Sequence, residues 1–315
     1  MKRVLFFISC IGIILSLCSW GFYAHRLIHK NAIYTLPTDL AVFYKYHSLE
    51  ITEKSVAADR RVYAVKEEGP RHYIDIEDFQ ENSLADIPQL WQEAKAKYGE
   101  EKLNQTGIVP WQIYHSYRQL VEAFKNKDKD KIIRISADLG HYISDAHVPL
   151  HTTRNHNGQF SNQLGIHAFW ESRLPEKYAK GYVLAASKAE WIENPLKNAW
   201  KIVESSHGLV DSVLHIEKVL SKKLPKSQQK AYIKRNNTLI HNYSDEYAEA
   251  YHRSLNGMVE RRMRESVRQV ASYWYSAWVE AGQPDLSLLL KGKRKYKKTS
   301  PSDEGSLPSH HEDRK

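Results

Sequence analysis

The segment Gly140-His141-Tyr142-Ile143-Ser144-Asp145-Ala146-His147-Val148-Pro149-Leu150-His151 concentrates side chains that can ligate a metal ion. His141 and Asp145 are four apart, so on a helix they share one face and can close on a single ion. Pro149 would end that helix, and His151 enters from the loop beyond it. Sixteen residues on, His167-Ala168-Phe169-Trp170-Glu171 repeats the pairing of histidine with carboxylate at the same spacing. Imidazole and carboxylate are the donors of catalytic zinc sites, where one position stays open to water or substrate. A lone His-x3-Asp reads as a surface ion pair or a helix cap. Two such pairs with a histidine between them point instead to metal, the plainer alternative being separate hydrogen-bonded core residues.

Two further pieces lie upstream. Asp59, in Ala57-Ala58-Asp59-Arg60-Arg61, and His72, in Pro70-Arg71-His72-Tyr73-Ile74-Asp75, are thirteen apart with a polar loop between them. Either alone is an ordinary surface residue. The third piece depends on processing. The chain opens on the basic Met1-Lys2-Arg3, continues in an uncharged apolar run from Val4 to Cys18 and reaches the small Ser19. That is the layout of a secretory signal peptide, and its apolar run of about 15 residues is shorter than the ~20 a membrane-spanning helix needs. Cleavage after Ser19 makes Trp20 the new amino terminus. A free α-amino group, with a pKa near ~8, ligates metal once neutral, so the Trp20 nitrogen with the His25 imidazole can grip an ion. The competing reading is a lipoprotein anchored through Cys18, disfavoured by the bulky Leu17 directly before it.

Taken in order, these motifs resemble the superfamily of bacterial zinc-dependent phospholipases C and the fungal and plant single-strand-specific nucleases of the S-one/P-one type. Members begin at a tryptophan exposed by processing and hold three zinc ions in an all-helical fold. The resemblance runs from Trp20 to about Glu171 as ordered motifs. It implies that Asp59, His72, His141 and Asp145 hold one zinc, and that Trp20 and His25 hold a second, with Asp145 as the bridging carboxylate. His151, His167 and Glu171 would hold a third, more exposed and exchangeable ion. Bound zinc lowers the pKa of water to ~7 and polarises phosphoryl oxygens, the requirements of phosphate-ester hydrolysis. Asp145 and Asp59 are then the candidate catalytic carboxylates, Asp59 also able to orient the attacking water.

The elements that must position these residues read as helices. Pro37-Thr38-Asp39 starts one ahead of Leu40 to Ser55, Pro110 opens another running to about Lys127, and Asp128 to Asp145 continues as a third. The block Asn194 to Lys223 alternates apolar and charged residues on a helical period. From about Asn242 to Ala281, Tyr247, Tyr251, Leu255, Met258, Val267, Val270, Trp274, Trp278 and Ala281 recur at steps of three and four, one long amphipathic helix or two in series. That aromatic stripe reads as core rather than as a ligand platform. Loops are expected over residues 99–110 and 152–166, and strand-like alternation is scarce.

The expectation is therefore an all-α protein: a signal peptide over residues 1–19, one multi-helix domain over 20–290 and a disordered basic and polar tail over 291–315. Both cysteines, Cys10 and Cys18, fall in the leader, so no disulfide holds the mature chain. The formal charge of +9, two units of which leave with Lys2 and Arg3, suits a phosphate-bearing partner, and the tail can touch anionic surfaces. No obligate protein partner is evident, and the protein is expected outside the cytoplasm, secreted or periplasmic.

The step from Trp20 to His25, the phrase His72-Tyr73-Ile74-Asp75 and Trp170 before the ligand carboxylate look like the nuclease branch. Glu171 in place of Asp and the lack of disulfides look like the phospholipase branch. A nuclease or nucleotidase acting on single-stranded nucleic acid is slightly favoured. Its rival is a phospholipase C, and a third reading from another class is a zinc-binding protein without turnover.

Overall fold

A computed structural model of the chain describes residues 21–235 and 238–290. The leader, Trp20 and the 291–315 tail lie outside the described residues. The fold is all-α as expected, with a single two-stranded hairpin among the described residues. One contiguous apolar core runs from the first helix, Gly21–Tyr34, to Leu286. No helix of the described residues is long and apolar enough to cross a membrane.

The scaffold is a group of long helices whose limits follow local chemistry. Val109–Lys125 carries Pro110 in its first turn, where the missing N–H costs nothing. Asp128 caps Lys129–Ala146 by accepting from the Lys131 N–H, so the two helices pack as neighbours across a turn of three residues, 126–128. Asn194 caps Pro195–His207 in the same way, and Ser244 caps Asp245–Ser254. The expected long C-terminal element is two helices. Asp245–Ser254 and Met258–Glu280 are parted where Asn256 and Gly257 take positive φ. Their aromatic stripe is core, as read: Tyr247, Tyr251 and Trp274 have no exposed surface.

Three local expectations need correcting. The Leu40 to Ser55 helix is two pieces, Thr38–Tyr46 and Ser48–Lys54, separated at His47, whose ψ of 13° opens the turn. Part of the loop expected over residues 99–110 is a helix, Glu100–Thr106, with Gly99 and Gly107 at its two ends in positive φ. Strands Lys230–Arg235 and Thr238–Tyr243 pair antiparallel where no sheet was expected.

One close approach sets the geometry of the site. The His29 ring lies against the Lys129–Ala146 helix, with Nδ1 2.8 Å from the His25 carbonyl and Nε2 3.0 Å from the Ala137 carbonyl. Burial lowers its pKa to about 3, so the ring is neutral and donates through one nitrogen at a time. A Cβ at Gly140 would stand 2.3 Å from His29 Nε2, so only glycine lets the helices meet this closely. Because His25 is one turn before His29 on the same face, this contact carries His25 to the C-terminal turn of the facing helix, where Asp145 waits.

Candidate metal centre

Eight of the nine expected ligands are described, and all eight converge; Trp20 lies outside the described residues. They arrive from different elements. His25 comes from the first helix, Asp59 from the short helix Ala57–Arg61 and His72 from the end of the 3-10 turn Gly69–His72. His141 and Asp145 share a face near the end of Lys129–Ala146, and His151 sits in the 3-10 turn Pro149–Thr152 that follows Val148. His167 belongs to the helical turn Ile166–Ala168. Glu171 lies in the π-helical turn Phe169–Arg173, a widened turn of the kind that often marks functional sites. Backbone bonds lock the His72 and His151 segments together: Ile74 N–H donates to the His151 carbonyl at 2.9 Å, and His151 Nδ1 donates to the His72 carbonyl at 2.7 Å.

Within the first set, His141 Nε2 is 3.1 Å from His72 Nδ1, 3.4 Å from Asp59 Oδ1 and 3.3 Å from Asp145 Oδ2. His72 Nδ1 is 2.9 Å from Asp145 Oδ2 and 3.7 Å from Asp59 Oδ1. Two donors about 2.1 Å from one tetrahedral zinc would be about 3.4 Å apart. These separations bracket that edge, so the spacing of the four side chains is compatible with a shared ion. In the other set, Glu171 Oε2 is 2.9 Å from His167 Nε2 and 3.3 Å from His151 Nε2.

The carboxylates join the sets. Asp145 Oδ2 faces His72 and His141, while Oδ1 is 3.3 Å from His25 Nε2. Glu171 turns its other oxygen, Oε1, toward His25 at 3.8 Å, and this second reach was not anticipated. The groups thus form one array, with His25 between Asp145 and Glu171. The ligands expected for the third ion are His151, His167 and Glu171. All three are buried, and Asp59 is the most exposed of the eight, its side chain 24% accessible.

The tautomers suit metal binding. His141 Nδ1 donates to the Ser55 carbonyl at 2.8 Å, as His151 Nδ1 does to His72, which leaves each Nε2 lone pair facing the cluster. His25 Nδ1 is buried without a hydrogen-bond partner among the described residues. Electrostatics point the same way. Burial by itself would lower the His141 pKa, but the charges of Asp145 and Asp59 outweigh it and lift it well above the usual value. Burial would raise Asp145 and Glu171, yet His141 and His151 hold Asp145, and His151 and His167 hold Glu171, well below the ordinary carboxylate range. Asp59 is lowered for the same reason by His141, His25 and His72. Buried histidines and carboxylates in such numbers compensate one another, and a divalent cation could take the place of the protons they share. The residues present therefore fit one or more metal ions.

Behind His72 lies a carboxylate that the sequence reading passed over. Glu68 is fully buried; it accepts from Arg61, Arg71 and Tyr142, and its Oε1 is 3.8 Å from His72 Nε2. Burial would raise its pKa, but His72, Arg61 and Tyr142 together hold it well below the usual range. Arg61 and Arg71 are both committed to this carboxylate, Arg61 also binding Asp138 at 2.9 Å. Such an outer carboxylate orients a ligand histidine. Glu68→Gln is expected to weaken metal affinity by about tenfold and to destabilise the fold by about 2 kcal/mol. Zinc titration and urea unfolding of the variant check both values.

No protein-family model matches the chain, and no curated protein matches it.

Proposed function

We propose that the chain is a zinc-dependent phosphoric ester hydrolase of the phospholipase C and single-strand nuclease superfamily. The observation that carries this reading is the two-sided Asp145, whose oxygens face separate ligand groups, His72 with His141 on one side and His25 on the other. A carboxylate so placed suits two ions held close together, the arrangement that serves in-line displacement at phosphorus.

In this reading Asp59, His72, His141 and Asp145 hold one zinc, Trp20 and His25 with Asp145 a second, and His151, His167 and Glu171 a third. Zinc supplies Lewis acidity and a water acidic enough to attack near neutral pH. The protein's residues do the rest. Asp59, at the exposed edge of the cluster, orients the incoming water. The carbonyls of Ser55 and His72 fix the rings of His141 and His151 so that no reorganisation is needed during the reaction. Gly21, which follows Trp20, is close enough to Glu171 that a Cβ there would stand 3.3 Å from Oε1, which supports a role for the processed terminus at this end of the array.

Single-stranded nucleic acid is the substrate class favoured by the Trp20-to-His25 step and by His72-Tyr73-Ile74-Asp75. Phospholipid headgroup esters are the second reading, favoured by Glu171 at the position where the nucleases carry Asp. Protein beginning at Trp20, loaded with zinc, is to be assayed on single-stranded DNA or RNA and on phosphatidylcholine side by side. Release of nucleotides selects the first and release of phosphocholine the second. Zinc binding without either would leave the non-catalytic alternative. The same assay tests the terminal amine: retaining a methionine before Trp20 removes that amine from its position and is expected to lower activity about a hundredfold, the scale of losing one electrostatic contact to the reacting centre. Equal zinc content and equal rates in the two proteins would contradict the role given to Trp20.

A further inference from the structure

Charge is concentrated away from the metal centre. Residues 218–244 include seven lysines and arginines and no aspartate or glutamate. The described lysines of this stretch, Lys218, Lys222, Lys223, Lys226 and Lys230, are exposed and form no ion pair among the described residues. Elsewhere many surface lysines are paired, as Lys95 is with Glu100, Lys97 with Glu81 and Lys177 with Asp245.

The hairpin that ends this stretch has two unlike faces. Ile233 opposes Ile240, and Ile240 is buried against the protein. On the alternate face Tyr232 opposes His241, with Leu239 one step along; Tyr232 is 75% and Leu239 67% exposed. At the hairpin's base Tyr243 stacks on Phe169, ring centroids 3.9 Å apart, inside the turn that carries Glu171. The Tyr243 hydroxyl also reaches the Leu164 carbonyl, and the Leu164 side chain is itself 61% exposed. Unpaired cations and large uncovered apolar side chains thus border one flank of the candidate site.

We propose that this flank, the 218–244 lysines with the Tyr232 and Leu239 face of the hairpin, docks the protein on an anionic phospholipid bilayer. Unpaired lysines complement any phosphate-rich surface, nucleic acid included. The exposed leucines decide between them, because Leu239 and Leu164 have no π-face on which a base could stack but lose unfavourable hydration in the acyl boundary. Tyr232 carries an apolar ring and a polar tip, suited to the headgroup level, and the lysine stems can lie along apolar chains with their ammonium groups on lipid phosphate. Docking here depends on none of the metal ligands and holds whichever ester the centre cleaves.

The test is sedimentation of the protein beginning at Trp20, tail included, with vesicles of phosphatidylglycerol and phosphatidylcholine in equal parts and with vesicles of phosphatidylcholine alone. Binding to the mixed vesicles is expected to exceed binding to the neutral ones and to fall about a hundredfold in the triple variant Lys222→Ala, Lys226→Ala, Lys230→Ala. Tyr232→Ser with Leu239→Ser should lower it about tenfold while its salt dependence persists. The lysine and hairpin variants should retain the zinc content of the unaltered protein, which separates this proposal from the metal reading. Thermal melts establish that each hairpin variant is folded. Variants that bind like the parent, no preference for the anionic vesicles, or loss confined to a labelled single-stranded oligonucleotide with vesicle binding untouched would each overturn the proposal.

Discussion

Asp145→Asn is expected to reduce phosphate-ester cleavage by at least about a thousandfold and to lower the zinc retained per chain. The size follows from position. The residue is 1% exposed, and its two oxygens meet His72, His141 and His25 at 2.9–3.3 Å, so one substitution removes a donor from two neighbouring ligand groups at once. Asparagine keeps the volume and one carbonyl oxygen, which separates loss of charge and ligation from loss of packing. The comparison is Glu217→Gln, another buried carboxylate, bonded by Tyr247 and Gln163 far from the ligands in sequence. Glu217→Gln should cost stability and leave zinc content alone. Elemental analysis and steady-state kinetics on both variants decide the matter. Asp145→Asn protein with full zinc and activity within tenfold of the parent would remove the basis for reading Asp145 as the shared ligand.

What could be read in advance was whatever depends on spacing within one element. The pairs His141 with Asp145 and His167 with Glu171 were legible because four residues return a helix to the same face, and the capped helices were legible from Pro110, Asp128 and Asn194. Contacts between elements were another matter. That His25 lies between Asp145 and Glu171 depends on the His29 ring fitting over Gly140, and nothing in either local sequence declares that meeting. Glu68, set among Lys66-Glu67-Glu68-Gly69, reads as one more solvated charge, and only burial against Tyr142 distinguishes it. The hairpin left a faint signal, apolar alternation at Ala231, Ile233 and Ile240 on either side of Asn236-Asn237, masked by lysines. Its inner face buries too little to raise the pattern above the helical background.

Removing the metal should be felt by the whole fold as well as by the reaction. The cluster gathers five imidazoles and three carboxylates from seven separate elements between residues 25 and 171, and both cysteines lie in the first eighteen residues, so no covalent bond ties those elements together. An ion that binds only the folded chain stabilises it by about 4 kcal/mol when present at a thousand times its dissociation constant. For a chain of this size each kcal/mol moves the melting midpoint by roughly 2–4 °C, so chelation is expected to lower it by roughly ten degrees. Zinc restored in excess of chelator should recover the midpoint, and magnesium, which prefers oxygen ligands in an octahedron, should not. His141→Ala should lose the larger part of the shift, because its Nε2 lies within 3.4 Å of His72, Asp59 and Asp145 and the change strips a donor from that whole set. His167→Ala should keep part of the shift, since the ligands of the His72 and His141 set are untouched. Scanning calorimetry on the three proteins distinguishes these outcomes. Superimposable curves for the parent protein with and without chelator would mean that the buried histidines and carboxylates satisfy one another unaided, as a structural ion-pair network.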